Sequence, residues 1–390
     1  MTYKEEHKDF EKEFNCYIDK INNGKIHEVY KSFKSLENLI SKNEDIEKYF
    51  YLSNILNLFL FKENNDLFIK DIINYINRFS FDLGFFIRNL TNISINLSKN
   101  YFSKTSSLND EKNSIILNFV NSNFCKLITS QKKEIVVNRF VNYHFENGFP
   151  AFNVNSDFFN RSINVSNNRT LNIQKKEENL TIYNSTGIED IRLFEDKKEN
   201  KIRFLATTLM FNNRNLNEIV LGELKEDENI LFIEKVFKSP KGRNEKNWLV
   251  LDNEKIIYSF YPYQVYDFSL ENILIEKTDL PKIFQLFRGS SNPVTINNFK
   301  YVLVHSLNTS ENYNPGSPRS YSHWIVLLNN LNIPVAYSAP FVFEGCNIEY
   351  CLSMNYLENG NLEFCYSCWD NSSKYLEIPL SFFNDKFLLI

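Results

Sequence analysis

The run Gly187-Ile188-Glu189-Asp190-Ile191-Arg192-Leu193-Phe194 sets two adjacent carboxylates and an arginine into an apolar stretch that reads as the edge of a β-strand. Similar short runs follow at even spacing: Ile202 to Met210, Glu218 to Leu224, Ile230 to Phe237, Trp248 to Asp252, Lys255 to Tyr261, Lys300 to Ser306, Ser322 to Asn329, Ile348 to Leu357 and Asn361 to Ser367. They are rich in Ile, Val, Phe, Tyr and Thr and are separated by clusters of Asn, Asp, Gly, Lys and Glu, an all-β signature that suits a sandwich, a barrel or a propeller. From Phe149-Pro150 onward about 240 residues divide into five four-stranded units of roughly blade size, which favours a five-bladed propeller.

Upstream the apolar period changes. Phe14, Tyr17, Ile18 and Ile21, then Tyr30, Phe33, Leu36, Leu39 and Ile40, recur at three- and four-residue spacing, the mark of amphipathic helices. Further helices are expected over Ile46 to Phe61, Asp66 to Phe79 and Ser114 to Ile128, with breaks at Asn22-Asn23-Gly24 and Glu63-Asn64-Asn65. The predicted fold class is therefore an α+β multidomain chain: an α-helical domain over residues 1–145, then an all-β five-bladed propeller over residues 146–390 as the catalytic domain.

A chain of 390 residues is long enough for two ordinary cores. Its 44 basic residues are scattered among 48 acidic ones for a net charge of −4, with no stripe of Lys and Arg to track phosphates, so nucleic acid is not an expected partner. The polar start Met1-Thr2-Tyr3-Lys4-Glu5-Glu6-His7 has no secretory character, and the most apolar window, Tyr49 to Phe61, is too short for a bilayer. A cytoplasmic protein without an integral membrane segment is expected. Six cysteines (Cys16, Cys125, Cys346, Cys351, Cys365, Cys368) are too few for a disulfide framework. Cys365-Tyr366-Ser367-Cys368 has the spacing of half a zinc site, which Cys346 and Cys351 would complete. The pair lies in a strand-like run, however, where residues three apart face opposite sides. The cysteines read as buried small hydrophobes, and no metal site is expected.

Downstream of Glu189-Asp190-Ile191-Arg192 come further charged and polar groups, each beside a strand-like run: Glu245-Lys246-Asn247-Trp248, Arg288-Gly289-Ser290-Ser291, His305, Arg319-Ser320-Tyr321 and Trp369-Asp370. Their placement predicts convergence on one pocket. Glu349 and Asp370 are second-tier acids, able to bind sugar hydroxyls, to activate water or only to cap a turn.

The order of these blocks over residues 180 to 372 resembles the five-bladed propeller enzymes of glycoside hydrolase family 130, the β-mannoside phosphorylases and hydrolases, and the related glycosyltransferase family 108. The resemblance implies Asp190 as the single catalytic acid, from Asp-x-Arg, and Lys246 as an anion ligand. It implies substrate contacts from Glu189, Arg192, Asn247, Arg288, His305, Arg319, Tyr321 and Asp370. Ile191 stands where that family has Pro, and Cys368-Trp369 where it has small residues.

The resulting expectation is an inverting glycosyl-transfer enzyme for mannoside-type or related glycans, first of all a glycosyltransferase in surface-glycan assembly. A β-mannoside phosphorylase or hydrolase, and a non-catalytic glycan- or protein-binding propeller, are the alternatives. No cofactor is expected beyond phosphate or a sugar nucleotide as co-substrate. The partners are the glycan or sugar nucleotide, with a protein partner as one role for the helical domain.

Overall fold

A computed structural model describes residues 94–99, 101–105, 120–146, 149–152, 160–164, 169–176, 180–183, 186–214, 216–238, 242–252, 254–308, 320–346, 348–384 and 386–390. The helices expected between Phe10 and Phe79 lie outside the described residues, as does Arg319.

Five largely antiparallel sheets follow one another along the chain. The first consists of Val120–Ile128, Glu134–Val141, Asn160–Asn164 and Arg169–Thr170, with a hairpin of Tyr143–Glu146 and Phe149–Phe152 inserted after its second strand. The second runs Ile188–Asp196, Lys201–Thr208, Glu218–Lys225 and Ile230–Phe237, with Asn172–Lys175 added in parallel outside. The third is Leu249–Asp252, Lys255–Phe260, Tyr263–Asp267 and Ile273–Lys277. The fourth opens on Arg288–Gly289 and Val294–Ile296, both paired with Phe299–Asn308, and continues through Ser320–Leu328 and Pro334–Ser338. The fifth is Glu349–Tyr356, Asn361–Cys368 and Ser372–Pro379. The strand windows read from the sequence match these elements closely, because a sheet packed on both faces enforces β-branched and aromatic residues along its length.

The sheets close into a ring, the arrangement of a five-bladed propeller. The first strand of each is an inner edge, with backbone groups that its own sheet leaves unpaired. Polar side chains on neighbouring inner strands satisfy them. Between the first and second sheets, Leu193 N donates to Cys125 Sγ at 3.4 Å. Asn292 joins its neighbours, its Nδ2 donating to Leu193 O at 3.2 Å and its Oδ1 accepting from Val250 N at 2.9 Å. Met354 N donates to Ser291 Oγ at 2.8 Å, and Lys126 N donates to Ser353 Oγ at 2.9 Å, which brings the fifth sheet back to the first. Apolar clusters fill the wedges: Leu193, Phe204 and Val220 with Cys125 and Val137 between the first two sheets, and Phe194, Leu221 and Phe237 with Trp248 and Ile256 between the second and third.

Both ends of the described chain help to seal the ring. Lys104–Thr105 adds a strand to the outside of the fifth sheet, Ile95–Asn96 runs parallel to Phe341–Val342, and Phe387–Leu389 completes the fourth sheet.

Two expectations are corrected. The helix over Ser114 to Ile128 is replaced, where described, by the strand Val120–Ile128, and the β part begins by residue 120 rather than at 146. The short run Phe119, Val120, Phe124, Leu127, Ile128 fits a helical and an extended period equally well. Packing against Glu349–Tyr356 and Ile188–Asp196 on either side decides for the strand. No helix among the described residues is long and apolar enough to cross a membrane.

A histidine in the fourth sheet makes stability pH-dependent. His323 is fully buried against Phe341 and Phe343, at ring separations of 6.0 and 4.7 Å, and neither ring nitrogen has a hydrogen-bond partner among the described residues. Burial pushes its imidazole down from 6.5 to about 3. Below pH 6.5 the unfolded chain therefore binds a proton that the folded chain refuses, so stability falls as pH falls through this window. Glu349 acts oppositely: burial raises its carboxyl from 4.5 to about 7, so its contribution fades as pH rises across that interval. His323→Leu removes only the first effect. Between pH 7 and pH 5, urea unfolding should show the variant gaining about 2 kcal/mol on the wild type, at ~1.4 kcal/mol per pH unit. An unchanged difference would refute a buried neutral His323.

Candidate active site

The inner strands all begin at one mouth of the ring, and there the predicted residues gather. Asp190 sits on a β-bulge between Glu189 and Arg192, buried, with φ of 56°. A left-handed conformation in a non-glycine residue costs roughly 1–2 kcal/mol and is tolerated best by Asp and Asn. Asn247 (φ 66°) and Asp370 (φ 49°) share that conformation. Three such positions at one mouth are the kind of local strain that collects at working sites.

The bulge turns both carboxylates toward one cation. Arg139 Nη1 donates to Asp190 Oδ1 at 3.3 Å, and its Nη2 to Glu189 Oε2 at 3.2 Å. On the other side Lys246 Nζ donates to Glu189 Oε1 at 2.6 Å. Burial favours a neutral Glu189, but Lys246 and Arg139 outweigh it and hold the carboxyl below the usual carboxylate range. Burial likewise opposes the Lys246 ammonium, while Glu189 and Asp190 keep it above the ordinary lysine value. Both groups are charged at neutral pH.

Arg192, only 2% exposed, is the hub of the mouth. Its Nε donates to Ser290 O at 2.7 Å, Nη1 to Asp190 O at 3.0 Å, and Nη2 to Gly289 O at 3.4 Å and Tyr350 Oη at 2.5 Å. The Tyr350 hydroxyl in turn donates to Asn247 Oδ1 at 3.0 Å. One guanidinium thus ties the second, fourth and fifth sheets together and orients Asn247 at the start of the third. Gly289 is needed here because a Cβ would run into Asn247 O and the Leu249 side chain.

His305 lies opposite Arg288 in the fourth sheet and shares a 2.9 Å hydrogen bond with Ser290 Oγ through Nδ1. Burial, with His323, Arg288 and Arg192 adding to it, pushes the imidazole well below 6.5, so His305 is neutral at physiological pH. Its ring packs near Tyr350 at 5.0 Å and Tyr321 at 5.6 Å. Arg288 is exposed beside it. Asp370 stands at the same end of the ring, accepting from Ser122 Oγ at 3.3 Å.

Most of the predicted residues therefore meet at this mouth: Glu189, Asp190, Arg192, Lys246, Asn247, Arg288, His305 and Tyr321, with Asp370 on its rim. Glu349 does not join them. Its carboxylate is fully buried, accepting from the backbone N–H of Phe343, Glu344 and Cys346 at 2.8, 2.7 and 2.9 Å. Alternation along the strand sends Glu349 away from the mouth and Tyr350 toward it. Trp248, next to Asn247, belongs to the core: it is 1% exposed, with Nε1 donating to Glu245 Oε2 at 3.3 Å. Arg139 and Tyr350 were not anticipated. Arg139 comes from the segment read as helical, and Tyr350 was hidden by the acid beside it.

At the opposite mouth the far ends of the inner strands surround a cavity of about 810 Å³, with Ser130, Glu195, Asp252, Thr295 and Tyr356 on its wall. The same cavity reaches inward as far as Arg192.

No family model and no curated protein matches the chain. Among solved structures it is similar to a β-1,2-mannobiose phosphorylase from Listeria innocua (12% identity, 72% of this chain and 97% of that one, TM-score 0.46). It is also similar to MPT-1, a GDP-Man-dependent mannosyltransferase from Leishmania mexicana (10%, 70% and 89%, TM-score 0.46), and to MPT-4, a mannose phosphorylase from the same organism (9%, 70% and 88%, TM-score 0.42). Likenesses at this level carry no residue's role across to this chain.

Proposed function

We propose that this mouth performs inverting glycosyl transfer from a sugar nucleotide to a mannoside-type glycan acceptor, with Asp190 as the acid-base group. The observation that carries the reading is the convergence, at the start of the inner strands, of one strained buried carboxylate with cations and neutral hydrogen-bonding groups. Displacement with inversion needs a group to take the acceptor's proton on one face and charge stabilisation for the anion leaving on the other. Asp190 suits the first role. Lys246 and Arg288, the exposed cations of the mouth, suit the second.

A diphosphate donor is favoured over free phosphate by how the arginines are engaged. Arg192 directs its donors to Ser290, Asp190, Gly289 and Tyr350, and Arg139 bridges Glu189 and Asp190. Both guanidiniums already hold partners within the protein, which leaves Arg288 and Lys246 to meet the donor's anion.

The test is a mass-spectrometric screen of two panels: GDP-, UDP- and ADP-sugars with manno-oligosaccharide acceptors, and β-mannosides with and without phosphate. Transfer predicts an acceptor heavier by one hexose and release of a nucleoside diphosphate. Sugar phosphate formed only in the second panel would replace this reading with phosphorolysis.

A further inference from the structure

Outside the mouth, one cluster has the chemistry of a ligand set. Glu344, Cys346 and Cys368 each offer a ligand atom, and the three atoms lie within 4.8 Å of one another. Glu344 and Cys346 belong to the turn between the fourth and fifth sheets, and Cys368 ends the strand Asn361–Cys368. The two thiols hydrogen-bond to each other. Cys351, Cys365 and Cys368 are all buried, and strand alternation turns Cys365 to the face opposite Cys368, so the CxxC pair does not meet on one side.

The turn is held in shape before any ligand arrives. Glu349 accepts from the N–H of Glu344 and Cys346, Gly345 takes a φ of 81°, and Phe343 stacks on Tyr366 at 4.3 Å. Glu344 is itself oriented: Oε1 accepts from Ser103 Oγ at 2.9 Å and from Tyr366 Oη at 2.8 Å, while Lys374 Nζ donates to both carboxylate oxygens at 2.9 and 2.7 Å. A ligating carboxylate is ordinarily fixed by outer hydrogen bonds of this kind.

We propose that Cys346, Cys368 and Glu344 form a binding site for a thiophilic divalent cation of the zinc class, with the fourth tetrahedral position open to solvent. Two thiolates select against magnesium and calcium, which take oxygen ligands, and in favour of zinc. The charges balance: two thiolates and one carboxylate against a divalent ion and the Lys374 ammonium. Position gives the ion a role. Ser103 precedes the strand Lys104–Thr105 that caps the fifth sheet, and Glu344 O accepts from Asn96 Nδ2 at 3.1 Å, so a metal here fastens the N-terminal segment to the seam of the ring.

Cobalt is the probe, added to full-length protein that has been reduced and freed of metal by a chelator. The wild type should take up one Co²⁺ per chain with thiolate-to-cobalt charge-transfer absorption and the visible bands of a tetrahedral ion, and Zn²⁺ should bleach both. Cys346→Ser, a half-buried turn position, and the pair Cys346→Ser/Cys368→Ser should lose the charge-transfer band while circular dichroism stays unchanged. Glu344→Gln should keep the band but bind at least about tenfold more weakly. Three outcomes overturn the proposal: no stoichiometric uptake by the wild type, uptake indifferent to both cysteine variants, or a Cys346–Cys368 disulfide whose reduction still yields no metal binding.

Discussion

Replacing Arg192 with methionine is expected to lower the stability of the chain by roughly 3–5 kcal/mol, because a buried network then loses the cation at its centre. The methionine fills a similar volume, so packing is a minor loss. The carbonyls of Asp190, Gly289 and Ser290 are left without the donor they have now, and each buried unpaired group costs about 1–3 kcal/mol. Tyr350 loses the partner that orients it toward Asn247. Arg192→Lys is expected to be nearly as damaging, since one ammonium cannot reach groups arrayed around a planar fork. The comparison that isolates the effect is Arg288→Met, which removes an exposed arginine from the same mouth. Urea denaturation should shift the midpoint strongly for Arg192→Met and within error for Arg288→Met. Equal midpoints would mean that the guanidinium network does not hold the mouth together.

Asp190→Asn is expected to do the reverse, leaving the fold intact while lowering kcat by about 10²–10⁴-fold, the usual contribution of one acid-base group. Asparagine tolerates the left-handed backbone of Asp190 nearly as well as aspartate and can still accept from Arg139. What it cannot do is exchange a proton. Arg288→Met should instead raise KM and lower kcat by a smaller factor than Asp190→Asn does, because a cation beside the donor's anion binds it in the ground state and also stabilises the charge that grows as it leaves. Steady-state kinetics on the donor identified by the screen separates the two patterns. A loss confined to KM in Asp190→Asn would move that residue from chemistry to binding.

Much of the β architecture could be read from the chain because each run between Ile202 and Ser367 had to satisfy the same requirement, a pleated surface buried on both faces. Ile230 to Phe237 matches its strand residue for residue. The first sheet was harder. Val120–Ile128 carries Asn121, Ser122 and Asn123 ahead of Phe124, and two of these serve other elements: Ser122 Oγ donates to Asp370 Oδ1 at 3.3 Å, and Asn123 Nδ2 to Tyr350 O at 3.2 Å. No local pattern announces such a contact between residues 227 positions apart. The site was legible where charge marked it, at Glu189, Asp190, Arg192 and Lys246, and illegible where a hydroxyl or a distant arginine did the positioning. Glu349 shows the limit most clearly: the acid drew the functional reading, while strand alternation gave the place at the mouth to Tyr350. The strand-face argument about Cys365 and Cys368 agrees with the structure. The proximity of Cys346 to Cys368 depends on a turn that only the closed ring sets.

The central claim is that the mouth bearing Asp190 transfers a glycosyl group. Its most direct test is to incubate wild-type protein and Asp190→Asn, matched for folding by circular dichroism, with a sugar nucleotide and manno-oligosaccharide acceptor and follow both by mass spectrometry. Extended acceptor from the wild type with little or none from the variant is the predicted result. Extended acceptor formed equally by both proteins would contradict the assignment of Asp190 and with it the account of the site.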